Sequence, residues 1–272
     1  MLMAVEKAIS SIHERYDGPI TLNELAAEVY VSPFHFSRMF ARITGVTPGR
    51  YLTAVRLFEA KRLLLTTSMT VSDIVCTVGY SSVGTFTSRF TRAVGMTPTQ
   101  YRDPAVADLL IALSPTYQRI PSFDAITAAG IDCAKPQQSG GALLGQLELP
   151  EGRRWRTLVG VFADPVPQAG PVAFSALTHT GSTELIINNI PRGEWTVIAA
   201  AESVGDPAVP ADFMIGTVRT PLTVTHDETV TVDIAMRTRR PADPPIAITL
   251  ASGIAAVRGD SVRTLHALPQ AA

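Results

Sequence analysis

The sequence predicts two domains, an all-α domain followed by an all-β domain. Its 272 residues are enough for two domains of ordinary size. Up to Pro104, apolar residues recur at the spacing of helices and prolines are few. After about Ala134, short runs rich in β-forming residues alternate with Pro and Gly, as in strands joined by turns. The predicted boundaries are 1–102 for the helical domain, 103–140 for a connector, 141–250 for the β domain and 251–272 for a tail.

Composition limits the class of protein before any motif is considered. With 46% hydrophobic and 17% charged residues, the chain has the composition of a folded globular protein. Its two cysteines, Cys76 and Cys133, form neither a disulfide framework nor a metal-ligand pattern. The first residues lack the basic and apolar segments of a secretory signal, and the apolar stretch 245–257 is too short to span a membrane. We therefore expect a cytoplasmic protein that has no membrane partner, metal or other cofactor.

Charge is divided unequally along the chain. Residues 1–102 hold 11 Lys/Arg and 7 Asp/Glu, a net charge of +4, whereas the remainder holds 12 and 17, a net charge of −5. A basic domain joined to an acidic one favours a polyanionic partner for the first domain only.

The first hundred residues contain an internal repeat. At an offset of 50, residues 30–51 and 80–101 are identical at nine of 22 positions. The identical pairs are Tyr30/Tyr80, Ser32/Ser82, Phe36/Phe86, Phe40/Phe90, Arg42/Arg92, Gly45/Gly95, Thr47/Thr97, Pro48/Pro98 and Tyr51/Tyr101. The segments before them, TLNELAAEV from Thr21 and TVSDIVCTV from Thr70, correspond at an offset of 49. The one-residue difference is therefore expected in a turn, where insertions are tolerated best.

Each copy has the pattern of a helix-turn-helix unit. It begins with a threonine followed three residues later by an acidic residue, which is the spacing of a capping box. After a turn, a serine caps a second helix, which has two phenylalanines four residues apart and ends at a glycine. In order, these residues are Thr21, Glu24, Ser32, Phe36, Phe40 and Gly45, and in the second copy Thr70, Asp73, Ser81 or Ser82, Phe86, Phe90 and Gly95. The repeat predicts an all-α double helix-turn-helix domain, an arrangement that favours DNA binding.

The stretch from Pro48 to Thr66 is predicted to form one continuous helix between the two copies. It contains no Gly or Pro after Gly49. Nineteen residues at a rise of ~1.5 Å each span roughly 28 Å, which is close to the ~34 Å repeat of B-DNA. Two recognition helices held on one face by such a spacer would enter successive major grooves.

Several motifs within residues 4–102 match those of a known family. They are Leu22, Leu25 and Ala26 in the first copy, Arg56, Ala60, Leu63 and Leu64 in the linker helix, Gly79 and Tyr80 at the second turn, and the segments 86–90 and 95–102. With these motifs the domain resembles the DNA-binding domain of the AraC/XylS family of bacterial transcription regulators. The resemblance implies seven helices, of which the third and sixth lie in the major groove of double-stranded DNA. One departure is Val75, where the family usually has alanine.

Carried over residue by residue, the resemblance places the base contacts of the first copy at Phe34, Ser37 and Arg38. Arginine can bind guanine through two hydrogen bonds, and phenylalanine offers apolar contact to a thymine methyl group. Arg42 is expected at a phosphate, with a purely solvated role as the alternative.

The corresponding residues of the second copy are smaller. They are Val83, Gly84, Thr87 and Ser88, with Arg92 expected at a phosphate or in solvent. Because no long polar side chain stands among the first four, we expect this copy to contact phosphates and DNA shape more than base edges. A neighbouring arginine, Arg89, aligns with Met39 near the buried edge of the helix, which predicts a snorkelling structural role, with the charged end of the side chain in solvent.

The second half is predicted to form an all-β sandwich. From Ala142 to about Leu250, seven or eight short strand candidates follow at regular spacing. The last two, on either side of residues 226–228, are predicted to pair as a hairpin. The turn and strand at 190–197 resemble those of the transthyretin-like or carboxypeptidase-regulatory-like sandwich. Ahead of the sandwich, Asp103–Leu113 is predicted to form a short helix.

The functions that remain open are of two classes. His179, His226 and His266 are far apart in sequence, and no nucleophile, phosphate-loop or dinucleotide motif is present, so no enzyme is expected. The first class is a transcription regulator whose sandwich binds a small-molecule effector or forms a homodimer, with RNA polymerase as a further partner. The second is a DNA-anchored adaptor whose sandwich binds a protein without any ligand. An internal pocket would favour the ligand, and a filled core the adaptor or dimer.

Overall fold

The computed structural model describes residues 1–131, 140–205, 210–225 and 228–251. The predicted tail beyond Ala251 lies outside the described residues, as do Cys133, His226 and His266. In the part of the chain that is described, no helix is both long and apolar enough to cross a bilayer.

Residues 1–102, which are described throughout, form seven helices, as expected. These are α1 Leu2–Arg15, α2 Leu22–Glu28, α3 Pro33–Thr44, α4 Pro48–Thr66, α5 Val71–Thr77, α6 Val83–Val94 and α7 Pro98–Tyr101. Both predicted capping boxes are formed, at the starts of α2 and α5. The predicted helix stops, Gly45 and Gly95, have left-handed φ angles of 84° and 81°. The double helix-turn-helix prediction is confirmed at this level.

The two copies differ in the turn between their helices. Tyr30 follows α2 with a left-handed φ of 58°, and Gly79 follows α5 with a φ of 78°. Tyr30 is therefore equivalent to Gly79, and the residue inserted in the second turn is Ser81. The alignment of Tyr30 with Tyr80 was wrong in structural terms. The Tyr30 side chain is 93% exposed, whereas the Tyr80 ring packs 5.1 Å from that of Phe86.

The connector and the second half contain the remaining elements. The connector has α8 Pro104–Asp108, β1 Leu110–Leu113, β2 Gln118–Arg119 and α9 Phe123–Ala128. The second half has β3 Gly141–Glu148, β4 Arg154–Phe162, β5 Ala173–Thr180, β6 Thr183–Ile190, β7 Gly193–Val204, β8 Phe213–Val224, β9 Thr229–Ala235, β10 Arg237–Thr238 and β11 Ile246–Thr249. The prediction that strands dominate this half is confirmed.

These strands form three sheets among the described residues. A five-stranded antiparallel sheet has the order β10-β8-β7-β4-β5, and a three-stranded sheet has the order β6-β3-β9, in which β3 and β9 are parallel. The hairpin predicted across residues 226–228 is wrong, because β8 and β9 belong to different sheets. The alternating pattern of β9 indicated one buried face but not the sheet that the strand joins.

A small third sheet joins the connector to the end of the described chain. Its order is β11-β1-β2, and β1 pairs antiparallel with β11 in the register Leu113↔Ile246. The helix predicted over Asp103–Leu113 therefore ends early, since its last four apolar residues are a buried strand paired on both edges. A short apolar run is compatible with either structure until its partners are known.

Two hydrophobic clusters use opposite faces of the five-stranded sheet. Trp155 of β4, Ile187 of β6 and Ile234 of β9 belong to a cluster that contains residues of the five-stranded sheet and of the β6-β3-β9 sheet. Leu158, on the other face of β4, belongs to a cluster that also contains Phe90 of α6. The second helix-turn-helix unit and the β domain thus share a hydrophobic core through the connector.

Candidate nucleic-acid interface

The helices α3 and α6 are anchored in the same way. In each, two phenylalanines four residues apart are buried, and the second ring meets a tyrosine of the following helix edge-on. The residues are Phe36, Phe40 and Tyr51 in the first copy and Phe86, Phe90 and Tyr101 in the second, with phenylalanine ring centroids 5.6 and 5.4 Å apart. Because one stripe of each helix is buried in this way, the opposite stripe lies at the surface.

The predicted contact residues of the first copy lie along the exposed stripe of α3. Phe34 is 73% exposed, Arg38 and Arg42 are exposed, and Ser37 is partly exposed. The spacing of four residues places Phe34, Arg38 and Arg42 on one face in successive turns. The guanidinium of Arg38 lies over the Phe34 ring, 5.6 Å from its centroid. This face presents an aromatic surface and two cations.

The second copy presents a flatter surface at the same place. Val83, Gly84, Ser88 and Arg92 are exposed, and Thr87 is partly exposed. Nothing lies within 4 Å of the position that a Cβ would occupy at Gly84, so the backbone of α6 is open to a close approach here. Arg92 is the cation of this stripe at the position equivalent to Arg42.

Two exposed residues next to these stripes are not among the predicted contact residues. Arg89 is exposed, whereas its counterpart Met39 is buried at 3%, and the snorkelling role expected of Arg89 stays a prediction. Its position adds a cation to the surface of α6. Tyr30, in the turn before α3, is the second residue. The repeat has an offset of 49 before this turn and 50 after it, and this difference indicated that Tyr30 and Tyr80 need not be equivalent.

Arg56 of α4 fixes how the two units are joined. Its Nε and Nη2 atoms donate to the carbonyl oxygens of Tyr16 and Gly18, at 2.7 and 2.8 Å. Its guanidinium also lies over the Tyr80 ring, 5.6 Å from the centroid. One side chain thus connects the loop after α1, the linker helix and the turn of the second unit.

Lys61 of α4 connects the linker helix to the β domain. Its Nζ atom is buried and donates to the Gln168 carbonyl and side-chain oxygens, at 2.9 and 3.0 Å, and to the Ala247 carbonyl oxygen at 2.6 Å. Burial lowers the pKa of Lys61 to about 7. Nearer the start of α4, Arg50 donates to both carboxylate oxygens of Asp164, at 2.6 and 2.5 Å. The loop after β4 therefore lies along the linker helix.

Residues with catalytic or metal-binding chemistry are separated or already engaged. Within the described ranges, no three His, Cys, Asp or Glu side chains are grouped to hold a metal ion. His179 has its Nε2 atom 2.9 Å from the Thr157 hydroxyl and its Nδ1 atom 2.9 Å from the Gly181 carbonyl oxygen. These contacts give His179 a structural role in the sheet, and Cys76 is exposed on α5.

Comparisons with known proteins concern the amino-terminal domain. Residues 25–104 match a family model described as a helix-turn-helix domain. The melibiose operon regulatory protein of Escherichia coli (strain K12) is 35% identical over 98 residues, 36% of this chain and 32% of that protein. The lactose operon transcription activator of Staphylococcus xylosus is 32% identical over 98 residues, 36% of this chain and 35% of that protein. A crystal structure of a transcriptional regulator with an AraC-type DNA-binding domain, from Chromobacterium violaceum, is 28% identical, covers 37% of this chain and 90% of that one, and has a TM-score of 0.35.

The family model and the two operon regulators confirm the resemblance found in the sequence. The amino-terminal domain is an AraC/XylS-type helix-turn-helix domain. The chain spans about a third of the length of the two curated relatives named above. The family match ends at residue 104 and does not include the β domain.

Proposed function

We propose that the protein is a transcription regulator that binds double-stranded DNA in two successive major grooves. The observation that carries the proposal is the pair of equivalent helices, α3 and α6, each held by a buried phenylalanine pair with its polar stripe exposed. The match to a helix-turn-helix model and relatives named as operon regulators support the same function.

The two helices have different roles in this proposal. Arg38 and Phe34 read bases, because a guanidinium can bind guanine and an aromatic ring can contact a thymine methyl group. The small residues Gly84 and Ser88 allow α6 to approach the DNA closely, and Arg42 and Arg92 bind phosphates. The first copy then supplies most of the sequence preference, and the second supplies affinity and register.

The β domain is the regulatory part of the proposed protein. We propose that its two larger sheets form the predicted β-sandwich and that it senses a small-molecule effector. Arg50 and Lys61 of the linker helix form hydrogen bonds with Asp164 and Ala247, which supports this role. A conformational change in the β domain would therefore shift the helix that sets the distance between the two helix-turn-helix units. Self-association and contact with RNA polymerase stay predictions.

Selection of DNA by the full-length protein tests the central proposal. The full chain is used because the core of the second unit continues into the β domain. We expect fragments retained from a random double-stranded library to share a motif that is bound at least ~10³-fold more tightly than its scrambled version. The affinity should fall steeply as salt is raised, because phosphate contacts release counterions. If the folded protein shows no preference among sequences at moderate salt, it is not a sequence-specific regulator.

A further inference from the structure

A cavity of about 240 Å³ lies between the first helix-turn-helix unit and the β domain. One wall is the carboxyl end of α3 and the turn after it, residues 43–46. The opposite walls come from β7, β8 and residues 237–246. The cavity therefore touches both a DNA-reading helix and the domain that the family match leaves unexplained.

Most of the cavity surface is apolar. Its walls include Ile43 and Val46 of the helical domain and Ile198, Ile215 and Val218 of the β domain. The volume is slightly below the ~300–1,000 Å³ of ordinary ligand pockets. The volume and the apolar side chains of the cavity favour a compact ligand with an apolar body.

A threonine contributes a hydroxyl group to the wall of the cavity. The side chain of Thr196 in β7 is 8% exposed and lines the cavity. Its hydroxyl group can donate a hydrogen bond to a molecule in the cavity, so Thr196 favours a ligand that carries an acceptor.

The charged side chains of the cavity wall are two arginines and one aspartate, so the wall has a net positive charge. Asp243 is engaged by Arg237, at 2.7 Å to each of its oxygens, and accepts the Arg240 backbone N–H at 2.7 Å. Arg239 donates only to the Asp243 carbonyl oxygen, at 2.5 Å, and within the described ranges it forms no ion pair. Burial lowers the pKa of Arg239, and the nearby Asp243 carboxylate offsets part of this effect. Because both Asp243 carboxylate oxygens already accept from Arg237, an added anion would give Arg239 the charge-assisted hydrogen bonds that Asp243 does not supply.

We propose that this cavity binds a small organic monocarboxylate with an apolar body. The carboxylate accepts hydrogen bonds from Arg239 and Thr196, and the body packs against the isoleucine and valine side chains. The inference rests on the proposed effector-sensing function and specifies its ligand. Because the bound molecule contacts Ile43 and Val46, it stabilises one arrangement of α3 against the β domain. A ligand that prefers one arrangement shifts the populations and, through α3, the affinity for DNA.

Thermal unfolding of the full-length protein tests the ligand class. The probes are 4-methylpentanoate and 3-phenylpropanoate, each compared with its neutral amide at the same sodium concentration. At about 10 mM we expect at least one acid to raise the unfolding midpoint while its amide does not, because only the acid pairs with Arg239. The substitution Arg239→Gln should weaken binding of the acid at least ~10-fold, and the isosteric Thr196→Val several-fold. Arg240→Gln, at an exposed neighbour outside the cavity, should leave binding unchanged.

Two results would overturn the proposal. The first is the absence of any shift that distinguishes acid from amide in the wild-type protein. The second is an equal shift in wild type and in Thr196→Val or Arg239→Gln. Affinity for the selected DNA site, measured in parallel, separates the two proposals. Intact DNA binding without acid binding removes only the ligand inference, whereas acid binding that leaves DNA affinity unchanged within about twofold overturns the coupling to α3.

Discussion

The guanidinium of Arg38 lies over the ring of Phe34, one turn earlier in α3, at 5.6 Å from the ring centroid. The ring is 73% exposed, so it contributes to the protein surface rather than to the core. The equivalent positions of α6 hold Gly84 and Ser88, which offer neither a ring nor a cation. The helices α3 and α6 are thus anchored in the same way and differ in the chemistry of their exposed faces.

The first prediction follows from this asymmetry. Arg38→Ala should cost ~1–3 kcal/mol of DNA binding at one base pair and relax the preference there, because two hydrogen bonds to guanine are removed. Ser88→Ala, at the equivalent position of α6, should leave sequence preference unchanged. Competition binding with sites that carry every single-base change measures both effects. Equal losses of preference in the two variants would contradict the division of roles.

The second prediction concerns the ring itself. Phe34→Ala should weaken DNA binding because Arg38 loses the surface over which it is held, an effect of about 0.5–1 kcal/mol for an exposed cation–π pair. The free energy of unfolding should change by less than about 0.5 kcal/mol, since the ring is mostly exposed. A double-mutant cycle with Arg38→Ala isolates the coupling. Additive effects of the two substitutions on binding would show that the cation–π pair plays no part in recognition.

The third prediction concerns Arg42 and Arg92. If both bind phosphates, alanine at either position should weaken all DNA sites by a similar factor. The slope of log affinity against log salt should become shallower by about 1 for each arginine–phosphate pair that is removed. Arg192→Ala, which removes an exposed arginine of the β domain, is the matched control and should leave the slope unchanged. An unaltered slope in Arg92→Ala would indicate a solvated side chain.

The fourth prediction uses the two left-handed residues of the equivalent turns. Tyr30→Gly should stabilise the protein by about 0.5–1 kcal/mol, because a tyrosine is strained at a φ of 58° and glycine is not. Gly79→Ala should destabilise it by more than about 1 kcal/mol, because the new Cβ would lie 2.6 Å from the Asp17 carbonyl oxygen at a left-handed φ. Urea unfolding of both variants measures the differences. A loss of stability in Tyr30→Gly would mean that the tyrosine ring makes a stabilising contact.

Local rules made the helical domain predictable from its sequence. The linker helix Pro48–Thr66 has the predicted bounds, because proline starts it and no residue inside interrupts it. The capping residues Thr21 and Thr70 act within three residues, so short segments determine their geometry. The exposed stripes of α3 and α6 follow from the same periodicity, and the predicted contact residues lie at least partly at the surface.

Pairing over long distances made the rest unpredictable. The apolar run Leu110–Leu113 is a strand because it pairs with Ile246–Thr249, well over a hundred residues later. The cavity also depends on contacts between distant parts of the chain, since its walls combine the end of α3 with strands and a loop from the β domain. Local patterns in a sequence determine caps and turns, but they do not indicate which buried faces come together.

The last prediction concerns Lys61, whose ammonium group joins α4 to the Ala247 and Gln168 carbonyl oxygens. Burial lowers its pKa from 10.5 to about 7, so between these values the unfolded chain binds more protons than the folded one. The free energy of unfolding should therefore rise with pH from about 7 upward, and below pH 7 this lysine should contribute no further slope.

Lys61→Met removes the titrating group and should flatten the profile between about pH 7 and 9.5, whatever its effect on absolute stability. Lys7→Met replaces an exposed lysine of α1 and should keep the wild-type rise. Urea unfolding at half-unit pH intervals gives the three profiles. The range stops at about pH 9.5 because burial raises the pKa of Tyr51 and Tyr101, whose titration lowers stability above about pH 10. A rise of equal slope in Lys61→Met and wild type would show that another group is responsible and that the three oxygen atoms bound by the ammonium group offset the effect of burial on its pKa.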